Sequence, residues 1–185
     1  VDSINDYYSQ GIKKKRLKDL KKNKNFLFYK IDISNEKKLK KIFNNHKFEI
    51  IIHLAAQAGV RHALKDPESY LNSNIKGFLN LVDNLKTNSV KKFIFASSGS
   101  VYGVKKEKKV TEDLDLVPIS VYNKTKMIAE RIFMSFDKDI KVEFDFTIKV
   151  ASDEAVAQVY QGSRDNVKWI TVYHDKDLIL LSTEN

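Results

Sequence analysis

The 185-residue chain predicts an α/β fold with a parallel sheet covered on both faces. Two observations carry this. Apolar strand-like runs alternate with helical patterns through the first 150 residues. Two of those runs, "FEIIIHLAA" and "VKKFIFASS", are almost continuously apolar, as strands buried on both sides are.

Each element can be justified in turn. "FLFYKIDI" (26–33) predicts a buried strand. "SNEKKLKKIFNNH" then predicts a helix, with Ser34 as its N-cap and Leu39, Ile42 and Phe43 on one face. "FEIIIHLAA" (48–56) is a second strand. "DPESYLNSNIKGFLNLVDNLKTN" predicts one long helix. Pro67 suits its first turn, and Tyr70, Leu71, Asn74, Phe78, Leu81 and Leu85 form one stripe. "VKKFIFASS" (90–98) is a third strand, and "YNKTKMIAERIFMSF" (122–136) a further helix. "IKVEFDFTIKV" (140–150) is another strand. The last 35 residues read as a separate module, 151–185. There "SDEAVAQVYQGSR" predicts a helix capped by Ser152, and "VKWITVYH" with "DLILLST" a hairpin around "DKD".

Composition narrows the function classes. There are no cysteines, which excludes disulfides and thiolate metal sites and fits a cytoplasmic location; no metal site is expected. No signal pattern stands at Val1, and the longest apolar runs are too short to cross a bilayer. The net charge of +9 raises a nucleic-acid reading. Residues 11–48 hold fourteen Lys and Arg against Asp19, Asp32 and Glu36. These lysines fall on polar helix faces with little aromatic interleaving, which favours a solvated basic face over a base-stacking surface. A nucleic-acid module through 11–48 is kept as an alternative.

In sheets of this kind the chemistry lies just beyond the carboxyl ends of the strands. Near one of these ends stands "ISVYNKTK" (119–126), with Tyr122 four residues before Lys126. Eight tyrosines and 33 Lys plus Arg make such a spacing common, and an ordinary wet helix start reads the same way. Ser98 ends the third strand, 24 residues before Tyr122.

The segments "VDSINDYY", "YKIDIS", "HLAAQAGVR", "YLNSNIKGFLNL", "FIFASSGSVYG" and "PISVYNKTKMIAE" occur in one order and register. Together they resemble the extended short-chain dehydrogenase/reductases of the NAD-dependent epimerase/dehydratase family. The likeness is strongest to the UDP-glucuronate 4-epimerase branch, through "HLAAQAGVR" followed by "DPESYLNSN". It runs from residue 1 to about 136 and fades through 148. The resemblance implies a Rossmann-like doubly wound sheet over 1–150, NAD as cofactor and a UDP-sugar substrate. It also implies an isomerase that oxidises and re-reduces the sugar at C4. Tyr122 would be the base, Lys126 would lower its pKa, and Ser98 would hydrogen-bond the reacting oxygen; Tyr122 and Lys126 would also contact the cofactor, Lys126 at the nicotinamide ribose. Asp2 would bind the adenosine ribose, and Asp32 and Ile33 would bracket adenine. Leu54, Ala55 and Ala56 would pass under the cofactor, and Asn74 would hold loop backbone beside it. "SSGSVYG" lacks the acidic residue of a dehydratase, which favours the epimerase. The family commonly dimerises through 66–88 and 122–136.

The pattern also departs from the family. No set of the six glycines makes G-x-x-G-x-x-G. The reading is therefore a partial domain lacking its first strand, with an unrecognised α+β appendage at 151–185, incomplete or inactive by itself. The acidic tail motivates a second alternative, a non-catalytic interaction protein derived from this fold.

Overall fold

The computed structural model describes residues 1–104 and 114–135 in full and the backbone of 136. Beyond them it describes the backbone of 143–149, 156–163, 166–175 and 178–179. Five helices and six strands are defined: α1 (Gln10–Leu20), α2 (Glu36–Asn45), β1 (Ile50–His53), α3 (Pro67–Tyr70), α4 (Gly77–Thr87), β2 (Lys92–Ala96), α5 (Val121–Phe136), β3 (Glu143–Lys149), β4 (Val156–Ser163), β5 (Asn166–Asp175) and β6 (Leu178–Ile179). The strands lie in the order β1-β2-β3-β4-β5-β6. The first three run parallel, Ile50 opposite Lys92 and Phe93 opposite Phe144, which establishes the α/β class. β4, β5 and β6 extend the sheet antiparallel from β3.

The core lies between the parallel strands and α2, α4 and α5. Leu39 and Phe43 of α2, Phe78, Leu81, Val82 and Leu85 of α4, and Ala129 and Phe133 of α5 close over Phe93 and Phe95. The Phe93 and Phe133 rings stack at 4.8 Å. Removing either ring would cost on the order of 3–5 kcal/mol.

Several elements differ from the sequence reading, each for a physical reason. Residues 26–33 form no strand. A strand needs a continuous neighbour, and this segment has only the parallel bridge between Asp2 and Lys30. Helix α2 is capped by Asn35, whose side chain accepts from the Lys38 amide, and not by Ser34. The Asp32 carboxylate takes the Ser34 amide at 2.8 Å, which moves the helix start by one residue. The long helix expected from 66 to 88 is interrupted. A π-helical stretch, Leu71–Lys76, separates α3 from α4. The wider turn brings Asn74 inward while Leu71 faces solvent. Residues 156–163 are strand β4, not part of a helix over 152–164, in keeping with Val156, Val159 and Tyr160. The expected cap Ser152 lies outside the described residues. The sheet is not covered on both faces at β1, because α1 buries no residue of its own.

Candidate active site

Three chain segments converge beyond the carboxyl end of β1. The loop after β1 carries Leu54, Ala55 and Ala56, and the turn before α2 carries Asp32 and Ile33. Residues 1–8 lie beside both. Together Asp2, Asp32, Ile33, Leu54, Ala55 and Ala56 line one cavity of about 210 Å³. Six of the nine positions expected from sequence to bind the cofactor thus line one cavity, whereas Asn74, Tyr122 and Lys126 do not. The Asp2 Oδ1 accepts from the Ile4 amide at 2.6 Å, which pins residues 2–4 in a tight turn and fixes the carboxylate at the rim. Asn80 of α4 donates to the carbonyls of Ile33 and Ser34, both at 3.0 Å, and holds the opposite wall. Two carboxylates beside an apolar wall and a floor of alanines suit a nucleoside. Ribose hydroxyls can donate to the acids while a flat base lies on Ile33.

Asn74 does not line this cavity but holds the loop that does. Its Oδ1 accepts from the Gln57 amide at 2.8 Å, and its Nδ2 donates to the Gln57 carbonyl at 3.1 Å. The same Nδ2 donates to Thr125 Oγ1 of α5 at 3.0 Å. One buried amide therefore ties the loop after β1 to the helix that carries Tyr122 and Lys126.

Ser98, Tyr122 and Lys126 lie along β2 and α5. Ser98 caps the short turn Gly99–Tyr102 by accepting from the Ser100 amide. Ser100 Oγ donates to Asn123 Oδ1 at 2.8 Å, which closes this turn onto α5. Burial pushes the Tyr122 pKa up, and the neighbouring Ser98 hydroxyl opposes that rise. The expected lowering by Lys126 is not what the structure has. The Lys126 ammonium points under the helix and donates to the Ala96 carbonyl at 2.7 Å, 4.9 Å from the Phe95 ring centroid. Burial brings its own pKa down to about 8, opposed by the nearby Glu130.

Glu130 and Ser97 were missed in the sequence. Ser97 donates to the Glu130 carboxylate, and burial raises the Glu130 pKa. The signal was an acid four residues after Lys126 on the inward face of α5, beside Phe133. Gln57 and Ser73, which also line the cavity, had no such signal.

The family model described as GDP-mannose 4,6 dehydratase matches residues 3–153. The UDP-glucuronate 4-epimerase of Thermodesulfobacterium geofontis is 38% identical over 183 residues, 96% of this chain and 54% of that protein. UDP-glucuronate 4-epimerase 6 of Arabidopsis thaliana is 40% identical over 74% of this chain and 30% of that protein. Among solved structures, the Bacillus cereus UDP-glucuronic acid 4-epimerase, in complex with UDP-glucuronic acid and NAD, superposes with a TM-score of 0.67. It is 32% identical over 74% of this chain and 42% of that one. The chain spans about half the length of the first of these relatives and less of the others. The Thermodesulfobacterium alignment also carries the likeness beyond residue 148, where the sequence reading had let it fade. The motifs in register, the family match and the neighbours' fold together place this chain in the NAD-dependent epimerase/dehydratase family of short-chain dehydrogenase/reductases.

Proposed function

We propose that this chain carries the adenosine side of the cofactor site and the Ser-Tyr-Lys group of an NAD-dependent UDP-sugar 4-epimerase, with UDP-glucuronate as the favoured substrate. The observation that carries the reading is the convergence of Asp2, Asp32, Ile33, Leu54, Ala55 and Ala56 on one cavity. Asn74 then ties its loop, through Gln57, to α5. NAD, when bound, supplies reversible oxidation at the sugar carbon.

The chain's residues do the rest. Asp2 and Asp32 orient the adenosine, and the alanines let it approach the backbone. The Tyr122 oxygen takes the proton of the sugar hydroxyl and later returns it. The Ser98 hydroxyl donates to the same oxygen and holds it near the phenol. Tyr122 has a raised pKa, so its phenol must first lose its own proton to solvent before it can take the hydroxyl's, a loss that positive charge held beside it favours. Lys126 is the buried cation one turn away, and its hold on the Ala96 carbonyl fixes the ends of β2 and α5 together. The identity of the sugar rests on the relatives alone.

Incubation with millimolar NAD and UDP-glucuronate, followed by chromatography of the sugar nucleotide, tests the reading. The C4 epimer is expected to form slowly and to vanish in Tyr122→Phe. Formation of epimer that Tyr122→Phe leaves unchanged would reject Tyr122 as the base.

A further inference from the structure

The inner face of α5 carries two ionisable groups one turn apart, Lys126 and Glu130, and both are bound to the end of β2. The Lys126 ammonium donates to the Ala96 carbonyl at 2.7 Å. The hydroxyl of the next residue, Ser97, donates to the Glu130 carboxylate. The residue after that is Ser98, the serine of the Ser-Tyr-Lys group. Two successive positions at the end of β2 are therefore clamped to two successive turns of α5. The clamp is buried, with Lys126 4% and Ser97 7% exposed.

A cation so placed is held against a large desolvation penalty unless negative charge stands near it. The Ala96 carbonyl is a dipole, and the Phe95 ring, 4.9 Å from the ammonium, offers only the attraction of its face. The titratable groups facing the ammonium are Glu130, on its own helix, and His53, from β1. His53 is neutral at ordinary pH, its pKa taken down to about 3 by burial and by the ammonium itself. Glu130 is thus the group of the two that brings negative charge. Burial raises its pKa, and the Ser97 hydrogen bond, Lys126 and Arg131 oppose that rise. Ser97 both aims the carboxylate and favours its ionised form.

We propose that Glu130 is a positioning residue of the Ser-Tyr-Lys group: fixed by Ser97, it is the counter-charge that keeps the buried Lys126 a cation. Kept charged, Lys126 is the cation available one turn from Tyr122. As a neutral amine it would still donate to the Ala96 carbonyl, but it would favour a phenolate far less. Glu130 therefore acts on the base through the lysine. This consequence rests on the reading of Tyr122 and Lys126 above, whereas the pairing of Lys126 with Glu130 does not.

The test uses the full chain with carbon-13 at the lysine Cε, titrated with pH and followed by NMR. The Lys126 signal is assigned by its loss in Lys126→Met. Glu130→Gln keeps the side chain's length and an oxygen for Ser97 to donate to, so it removes the charge and spares the clamp. The Lys126 midpoint is expected to fall by about one pH unit or more in this variant. A midpoint unchanged in Glu130→Gln overturns the proposal, since a merely structural contact would leave it there. The coupling is reciprocal, so Lys126→Met should raise the Glu130 midpoint, read at its labelled carboxyl carbon. This second measurement decides if Glu130→Gln does not fold, and a Glu130 midpoint that does not rise then overturns the proposal. In a separate arm, epimer formation from UDP-glucuronate with NAD is followed against pH. Glu130→Gln should bring the alkaline fall of kcat to lower pH and leave KM unchanged. Failure of that arm alone, with the Lys126 midpoint moved, counts against the Tyr-Lys reading and leaves the pairing standing.

Discussion

At the scale of single residues, two buried bases set how stability depends on pH. Lys126 lies beneath α5 with its pKa brought from 10.5 down to about 8, chiefly by burial. Between these values the unfolded chain holds a proton that the folded chain has released. Stability therefore rises as pH rises from about 8, by at most about 1.4 kcal/mol per pH unit. The rise ends near pH 10, where Tyr122, held above its ordinary value, begins to oppose it. Urea unfolding across this window should show the slope in the native chain and a flat profile in Lys126→Met. His53 is the acid-side counterpart. It stacks on Phe78 and Phe95 at 5.5 and 5.6 Å, and burial takes its pKa down to about 3. Below 6.5 the unfolded chain gains a proton that the folded chain refuses, so stability is lost as pH falls toward 3. His53→Phe keeps an aromatic in the stack. Its acid limb should be shallower by about 1.4 kcal/mol per pH unit, read as urea midpoints from pH 7 to 4. The motifs in register point to Lys126 as a site residue, but only the fold shows that its ammonium is buried, and His53 carries no signal of its own in the sequence.

At the scale of elements, the π-helical stretch between α3 and α4 determines how the site is held. A continuous helix would have kept Leu71 and Asn74 on one stripe, which is how the apolar spacing reads. The extra residue per turn separates them, and Asn74 gains Gln57 and Thr125 as partners. The turn ends at Gly77, where an added Cβ would stand 2.5 Å from Ile33 Cγ1. Gly77→Ala must therefore displace Ile33 toward the nucleotide cavity. It should destabilise the chain by about 1–3 kcal/mol and weaken NAD binding, measured by thermal unfolding and by titration. A full-strength NAD affinity in this variant would remove Ile33 from the adenine site. Helices α2 and α5 and strands β1 and β2 were legible because each carries its own periodicity. Two features depend on partners that local sequence does not encode. Residues 26–33 have strand-forming side chains but no neighbour to pair with beyond Asp2. Residues 156–163 admit both periodicities and become β4 once β3 and β5 flank them.

For the whole molecule, the described structure has a well-packed helical side and an open sheet edge. Phe78, Phe93, Phe95 and Phe133 fill the first, while Ile50, Ile52 and Leu54 mark the second. The candidate cofactor cavity sits at the boundary between them. The family was legible from six motifs in register, because cofactor contacts depend on strand ends whose order in sequence the fold preserves. The direction of the Lys126 ammonium and the Ser97–Glu130 contact emerge only from packing. The central claim is that Asp2, Asp32, Ile33, Leu54, Ala55 and Ala56 form one nucleotide site. Titration of the isotope-labelled chain with NAD, followed by NMR, tests it most directly. Saturable shifts are predicted at those six residues and at Gln57, weakened in Asp2→Ala. Shifts confined to the basic surface of α1, or none at these positions at millimolar NAD, would contradict the account.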